Sequence, residues 1–503
     1  MKAAKAKHIL IYLCLAIFSI ACNDWLYLEP EDGIIRDEFW ASKQDVRLAV
    51  IGCYGSLLGN TGGEKTYDLP SLLFILGEIR ADMMIMRREN AEYRALINGD
   101  IFPDNGLCRW DAFYRTINFC NNVLTYAKIV QEEDPSFSVQ ELKEFEAEVL
   151  ALRALMYFYL VRLYKEVPLK LTATLSDDDN VPISKSPPDE ILKQIKADLF
   201  MAEKDVPVAY GSNDMDKGRI TRYGVNAIQA DVYLWCEQYD SAVLACNKVI
   251  NSGKYGIVAN DENWFKTLYV NGNSSEGIFE LQFHKDRLNP YYRLLSPFRN
   301  YNFIGSPLIL SDLFLSDPAL PPDSADIRSD GASYKSGSGY IIWKYLGRDR
   351  DVERTEEESY AHFIVYRYAD ILLLKAEALN QLGFGEEALS LVNILRNRAH
   401  ASTLTKYPGS TDDINSLADY ILEERGREFA FEGKRWFDIL RNGKRNNYQR
   451  LDIITGALST GVSYDKQITI MAKAQDTLFH YLPIHINELN TNPELEQNPF
   501  YDN

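Results

Sequence analysis

The chain has 503 residues, of which 46% are apolar and 25% charged, a composition typical of a folded protein rather than a disordered one. Its formal net charge of -18 at pH 7 argues against nucleic-acid binding, because phosphate contacts need clustered lysine and arginine. The same excess of acidic residues disfavours adsorption to acidic lipid.

The N-terminus predicts a signal peptide over residues 1–21. Three lysines in the first seven residues precede an apolar run, residues 9–21, that is too short to span a bilayer. Ala21 followed by Cys22 resembles a bacterial lipoprotein signal, in which the cysteine receives lipid after cleavage, although Ser19 and Ile20 depart from the usual residues. An ordinary signal peptide or an uncleaved anchor is the alternative. We therefore expect a signal peptide, residues 1–21, and a mature domain, residues 22–503.

The remaining cysteines indicate neither structural zinc nor a disulfide framework. Besides Cys14 and Cys22 they are an odd number without CxxC spacing: Cys53, Cys108, Cys120, Cys236 and Cys246. The last two lie in helical patterns, and we interpret them as small buried residues.

Apolar residues at helical spacing dominate the chain. Steps of three or four from Leu142 to Leu163 predict a long core helix that ends before Pro168. The next helix is predicted from Ser186, a capping hydroxyl followed by two prolines. Between them, residues 176–180 form an acidic segment whose spacing does not match an EF-hand, so we favour a solvated loop over a calcium site.

A similarity between two segments of the chain predicts paired helices. "ADVYLWCEQYDSAVLACNKVI" begins at Ala230 and "AEALNQLGFGEEALSLVNILR" at Ala376, and each has a second alanine 12 residues later, Ala242 or Ala388. Small residues at this interval allow antiparallel helices to approach closely, as in tetratricopeptide repeats. The fold class expected is mainly α, with tetratricopeptide-like helical repeats supporting an irregular, loop-rich lobe with minor β structure.

Two regions interrupt the helical pattern. Residues 60–110 mix apolar helix with turns, and residues 254–365, the expected irregular lobe, are rich in glycine, proline and aromatic residues. Alternation from Ile278 to Phe283 predicts a strand, and Gly331–Gly339 a loop. Loops on a rigid scaffold commonly carry binding sites.

The sequence contains one apparent cofactor motif, but its structural context is wrong. "GFGEEA", residues 383–388, fits a dinucleotide fingerprint, but a helix precedes it where a strand is required, so we interpret it as a turn between helices. The six histidines form no metal-binding spacing. We predict no cofactor and no metal.

A glutamate ridge is the strongest catalytic candidate. Glu424, Glu428 and Glu432 share one helical face, and two carboxylates in an open cleft could act as a glycosidase pair. The ridge is matched by nearby basic and aromatic side chains, namely Arg425, Arg427, Arg435, Arg441, Phe429, Phe431, Trp436 and Phe437. Buried acids must be paired, so we favour a structural role in which these glutamates form ion pairs inside the packed protein, an arrangement that we name the ionic strut. Gly426 and Gly433 are then weak points or ends of the helix.

Six segments together carry a family resemblance. In chain order they are "CNDWLYLEPED", "WDAFYRTINFCNNVL", "RALMYFYLVRLYKEVPL", "YRYADILLLKAEALNQLG", "ILEERGREFAFEGKRWFDILRNG" and "YLPIHINELNTNPELEQNPFY". Each is weak alone, but their order and spacing resemble the SusD/RagB family of outer-membrane lipoproteins from Bacteroidetes. Gly426 departs from the arginine usual at its position.

The resemblance implies four tetratricopeptide-like units and no catalysis. It also implies a lipid-anchored protein of the outer membrane and cell surface that binds oligosaccharide or polysaccharide and delivers it to a SusC-like TonB-dependent transporter.

Binding residues differ within the family, so the candidates come from loops outside its motifs. Aromatic faces can stack on sugar rings, and polar side chains can bond the hydroxyls. The glycan-binding candidates are Asp82, Arg87, Arg88, Tyr291, Tyr292, Arg293, Tyr301 and Asn302. Two other functions stay open: a surface glycoside hydrolase using the glutamate ridge, and a repeat scaffold that binds a peptide or protein.

The anchor generates a first prediction. We expect Cys22→Ala to leave the protein soluble and unlipidated, because the thiol that receives the lipid is gone. Metabolic lipid labelling and membrane fractionation test this, and unchanged labelling and fractionation would refute it.

Overall fold

The computed structural model describes residues 39–59, 67–174, 181–299, 301–315, 325–337, 339–405 and 409–502. The expected signal peptide, Cys22 and the acidic segment 176–180 lie outside these residues. The described chain is mainly helical with short strands, which confirms the expected fold class.

The part of the chain up to residue 250 consists, where described, of nine α-helices and three short strands. They are α1 (Lys43–Leu57), α2 (Leu69–Glu78), β1 (Met84–Met86), α3 (Ala91–Asn98), α4 (Asp111–Glu133), α5 (Val139–Tyr164), β2 (Val167–Pro168), β3 (Lys185–Ser186), α6 (Pro188–Asp205), α7 (Asn213–Gly218), α8 (Arg222–Trp235) and α9 (Tyr239–Ile250).

The later part holds five strands and nine further α-helices among the described residues. They are β4 (Gly277–Leu281), α10 (Tyr291–Leu295), β5 (Phe303–Gly305), α11 (Pro307–Leu313), β6 (Tyr334–Ser336), β7 (Tyr340–Ile342), β8 (Phe363–Arg367), α12 (Tyr368–Gln381), α13 (Gly385–Ala399), α14 (Ile414–Glu428), α15 (Arg435–Tyr448), α16 (Leu451–Thr460), α17 (Tyr464–Lys473) and α18 (Ile486–Thr491).

The helices pack in sequential pairs, as the similarity between the segments at Ala230 and Ala376 predicts. α5 lies between α4 and α6, α8 packs against α9, α12 packs against α13, and α9 contacts α12. Ala230, Ala242, Ala376 and Ala388 are all fully buried, so each pair meets through small side chains. Residues 382–384 form the turn between α12 and α13, which confirms the interpretation of "GFGEEA".

Helix α6 begins later than predicted. Pro188 is its first residue and Pro187 takes the N-cap position, while Ser186 pairs with Val167 in a two-stranded sheet. The fixed φ of proline suits the first turn of a helix, and this start leaves Ser186 free for the sheet.

The irregular lobe contains two small sheets. β4 pairs antiparallel with β8, which confirms the strand predicted near Ile278, and a four-stranded sheet has the order β1-β5-β7-β6. The segment Gly331–Gly339, predicted as a loop, contains β6, because Tyr334 pairs with Ile342 across a hairpin. Three paired residues are too few to produce a recognisable alternation in the sequence.

Helix α2 is buried along its whole length and contacts the turn after α14. A Cβ added at Gly77 would lie 2.0 Å from the carbonyl oxygen of Gly433, so backbone meets backbone there, and Gly433 has a φ of +71° that favours glycine. Just after α2, the Arg80 guanidinium donates 2.7 Å hydrogen bonds to the carbonyls of Phe479 and His480.

The glutamate ridge is the centre of a buried ionic network. Glu428 accepts hydrogen bonds of 2.7 Å from Arg367 and 2.8 Å from Arg328, and Arg398 also pairs with it. Glu424, beside it, pairs with Arg328 at 2.7 Å. Burial alone would raise the pKa of Glu428, but the three guanidinium groups outweigh burial and hold its pKa well below the usual value.

The network confirms the ionic strut, with partners that differ from the local ones expected. Of the four arginines near the ridge in sequence, Arg427 pairs with Glu424, at 3.1 Å. The others bind acids elsewhere, and the remaining partners of the ridge come from distant segments: Arg328, Lys344, Arg367, Arg396 and Arg398. Gly433 lies in the turn after α14, as expected of a helix end, whereas Gly426 lies inside the helix.

We expect Glu428→Gln to lower the free energy of unfolding by about 3 to 5 kcal/mol, because it leaves buried guanidinium groups without their carboxylate. Urea denaturation measures the change. Glu423→Gln is the matched control on the same helix, since its carboxylate is 51% exposed and its pair with Arg427 contributes at most about 1 kcal/mol. Equal losses in both variants would contradict the role of the network.

The ionised carboxylate of Glu377 makes the stability of the folded protein depend on pH in the acidic range. Burial alone would raise its pKa, but Arg441 and Arg445 lower the pKa to about 2. The unfolded chain therefore takes up the proton first, and about 3 kcal/mol of stability is lost as the pH falls from about 4.5 towards 2. We expect Glu377→Gln to flatten the fall of melting temperature over this interval. The exposed Glu387→Gln should keep the wild-type slope, and an unchanged slope in Glu377→Gln would contradict this account.

Candidate functional site

Strand pairing joins the two loop segments that contain the glycan-binding candidates. β1 and β5 run antiparallel with Met86 opposite Phe303. Beyond the strands, the Arg87 amide donates a 2.7 Å hydrogen bond to the carbonyl of Asn302, and the Asn302 amide donates one of 2.8 Å to the carbonyl of Leu294. Residues separated by more than 200 positions thus form one connected part of the surface.

Three of the eight candidates point into the protein. Tyr291 is fully buried, with its ring centroid 4.3 Å from that of Tyr345, and therefore offers no face to a sugar. Tyr292 is buried as well. Asp82 accepts two hydrogen bonds of 2.8 Å from Arg435, so it belongs to the ionic interior.

The buried candidates have a common physical reason. α10 has five residues, about one and a half turns, and its inner side packs into the aromatic core. Tyr291, Leu294 and Leu295 form that inner side. Asp82 neutralises an arginine that the family motif carries. Neither fact was visible from residue type, since tyrosine and aspartate suit a sugar site equally well.

The other five candidates lie at the surface, together with two residues that were not among the candidates predicted from the sequence. Arg87 and Arg88 are exposed, Tyr301 and Asn302 are half-buried, and the Arg293 side chain is 80% exposed. The missed residues are Phe298, 79% exposed, and Arg299. We name the set the two-loop surface: Arg87, Arg88, Arg293, Phe298, Arg299, Tyr301 and Asn302.

Glu356 lies beside this surface and fixes two of its arginines. Its carboxylate accepts a 2.9 Å hydrogen bond from Nε of Arg293 and a further bond from Arg299. The two hydrogen bonds lower the pKa of Glu356 below its ordinary value. Glu356 follows Thr355 in a capping box, a pattern that predicts a turn but not its neighbours.

A second carboxylate lies nearby. Glu353 accepts a hydrogen bond of 2.5 Å from the hydroxyl of Ser296, two residues before Phe298 in the chain. Burial raises the pKa of Glu353, and the Ser296 bond only partly opposes this. The two carboxylates therefore differ in protonation behaviour, a property relevant to any test for catalysis.

A cleft with a volume of about 360 Å³ lies elsewhere, between α4, α18 and the segment after β2. Its amides already have partners. Asn118 exchanges two hydrogen bonds with Thr174, and Asn121 donates to the carbonyls of Lys170 and Thr172. These amides hold the chain segment against α4 and leave few free polar groups for a ligand.

The glutamate ridge is closed to substrate. Glu424 and Glu428 are fully buried and Glu432 is 3% exposed, and each is paired with arginine or lysine. A glycosidase pair needs an open cleft, so the structure does not support the ridge as a catalytic site.

Over the residues that the structure describes, no three histidine, cysteine or acidic side chains are grouped in a way that could hold a metal ion. In the same part of the chain, none of the helices combines the length and the apolar character needed to cross a membrane.

Family models match most of the chain. A model of the SusD family matches residues 320–501, and a second, described as starch-binding and associating with the outer membrane, matches residues 74–234. Among relatives, "SusD-like protein P38" of Formosa agariphila is 28% identical over 98% of each chain. A "SusD-like protein" of Bacteroides ovatus is 24% identical over 88% of this chain and 83% of its own.

Solved structures share the fold. A SusD superfamily protein of Bacteroides vulgatus superimposes with a TM-score of 0.74 at 22% identity, over 92% of this chain and all of that one. A SusD-like carbohydrate-binding protein of Bacteroides fragilis gives 0.70 at 20% identity, over 91% of this chain and all of its own. At such identities the likeness concerns the fold alone.

Proposed function

The chain belongs to the SusD/RagB family, and from this premise we propose that it is a non-catalytic, cell-surface lipoprotein that captures glycans for a SusC-like TonB-dependent transporter. The observation that carries the proposal for this chain is the pairing of β1 with β5, which gathers an exposed aromatic ring and several hydrogen-bond donors on the two-loop surface.

The chemistry of that surface suits sugars. A pyranose ring has a face of C–H groups and a rim of hydroxyls, so it needs a flat apolar partner and directional polar groups. Phe298 supplies an exposed ring, and Tyr301 a half-exposed one. Asn302 is fixed through its main chain, which limits the entropy lost when a ligand binds.

The location follows from the anchor. We propose lipid attachment at Cys22, 17 residues before the first described residue, Phe39. A chain held to the outer membrane by lipid needs no membrane-spanning helix.

The peptide-binding alternative would place its ligand on the outer faces of the helical pairs, since the paired alanines of α8, α9, α12 and α13 are buried between helices. Co-purification with a transporter, without any glycan affinity, would favour that alternative.

We expect glycan binding to weaken by at least about tenfold in Phe298→Ala/Tyr301→Ala, because each lost ring contact costs about 1 kcal/mol or more. Affinity electrophoresis against a broad polysaccharide panel, followed by calorimetry on the glycan retained, measures this. Tyr464→Ala is the matched control, since this ring is 89% exposed on α17 and is not part of the two-loop surface. A panel that binds nothing, or equal losses in both variants, would contradict the proposal.

The same samples test for catalysis. No reducing ends should be released from the bound glycan. Release by the wild type that Glu353→Gln abolishes, in a variant that still binds, would overturn the non-catalytic assignment and identify a hydrolase.

A further inference from the structure

Four of the seven residues of the two-loop surface are arginines, in a chain whose net charge is -18. The four are Arg87, Arg88, Arg293 and Arg299, and their side chains are exposed. Lysine and arginine are outnumbered 54 to 72 by aspartate and glutamate over the whole sequence, so a surface in which arginine dominates departs from the rest of the chain.

The positive charge of this surface is only partly neutralised. Arg293 and Arg299 share the single carboxylate of Glu356. Within the described residues no carboxylate forms a salt bridge with Arg87 or Arg88, so among the four guanidinium groups only those of Arg293 and Arg299 are paired, and with one shared acid.

Two of the other acids nearby are paired with basic side chains outside the surface. Glu89 pairs with Arg94, and Glu358 lies 3.9 Å from Arg348. Glu353, which accepts from the neutral Ser296 hydroxyl, and the exposed Glu357 have no salt bridge among the described residues. Even with both counted beside Glu356, four guanidinium groups face three carboxylates. An excess of positive charge therefore remains on the two-loop surface.

The main chain holds the arginines in place. The amides of Arg87 and Arg88 both donate to the carbonyl of Asn302, at 2.7 and 3.4 Å, and Asn302 is bonded in turn to Leu294, next to Arg293. The segment with Arg87 and Arg88 and the segment with Arg293 are thus both hydrogen-bonded to Asn302, which lies between them. A fixed main chain keeps these side chains near one another, which lowers the entropic cost of bringing several guanidinium groups to one ligand.

We propose that the glycan captured by the two-loop surface is an anionic polysaccharide, carrying uronate carboxylates or sulfate esters; this rests on the proposed glycan-binding function. The planar fork of guanidinium matches two oxygens of a carboxylate or sulfate, and Phe298 receives the sugar ring between charged groups. An acidic protein repels a polyanion except where positive charge is concentrated, so the patch also selects where the polymer lands.

The test uses matched pairs of charged and neutral polymers: polygalacturonate against its carboxyl-reduced form, and chondroitin sulfate against chemically desulfated chondroitin. Affinity is measured by calorimetry on the full-length protein at several NaCl concentrations. We expect at least one charged member to bind at least tenfold more tightly than its partner, with affinity falling as salt rises. Which pair shows the difference distinguishes carboxylate from sulfate.

Variants assign the effect to the patch. Arg87→Gln/Arg88→Gln should weaken binding of the charged polymer at least tenfold and reduce its salt dependence. Arg87→Lys/Arg88→Lys should keep the salt dependence while losing part of the affinity, because lysine retains the charge without the fork. Arg47→Gln/Lys128→Gln, two exposed positions on α1 and α4, makes the same change in net charge and should have no effect. Thermal unfolding of each variant checks that it is folded.

Equal affinity for charged and neutral polymers, or equal losses in the two glutamine variants, would overturn the anionic assignment while leaving glycan capture intact. Tighter binding to phosphatidylglycerol vesicles than to any polymer would overturn it in favour of a lipid surface. Failure of every glycan, neutral ones included, would contradict the proposed function itself.

Discussion

An ionised carboxylate removed from water must be neutralised where it lies, because an unpaired buried charge costs several kcal/mol. Glu424 and Glu428, adjacent on one face of α14, have one partner on their own helix, Arg427, and otherwise depend on arginines from other segments. Arg328 comes from the irregular lobe and Arg367 from the end of β8. The lobe cannot separate from the helical scaffold without leaving these charges unpaired, so charge neutrality couples two parts of the chain that differ in character.

That coupling explains how irregular segments can present a defined surface. β8 carries Arg367 into the network and Phe363 into the aromatic core, where the Phe363 ring stacks on Tyr291 at 6.0 Å between centroids. Tyr291 then fixes α10, and Arg293, two residues on, lies in solvent. Inner residues of one short segment serve packing, while their neighbours remain free for contact with a ligand. Binding residues can therefore vary without disturbing the scaffold.

The scaffold was largely predictable and the site only partly so. Helical spacing and the buried alanines at 230, 242, 376 and 388 depend on local periodicity, which the sequence displays directly. The partners of Glu428 lie 30 to 100 positions away, and no local pattern specifies them. In "NPYYRLLSPFRNYNF" residue type alone could not separate the buried Tyr291 from the exposed Phe298, because a helix of five residues is too short to show which side faces the core. The pairing of β1 with β5 could not be predicted either, because a strand of three residues is too short to show an alternating pattern in the sequence.

The burial of α2 has a consequence for how the molecule is assembled. Its ten residues, mostly apolar, contact the turn at Gly433, and the Arg80 that follows them binds carbonyls at Phe479 and His480, about 400 residues downstream. A chain growing from its N-terminus can pack part of this helix once Tyr291 and Tyr345 have been synthesised, because both rings contact Phe74. The contacts at Gly433, Phe479 and His480 form only after almost all of the chain has been made, so the N-terminal part can complete its folding only once the C-terminal segment is available.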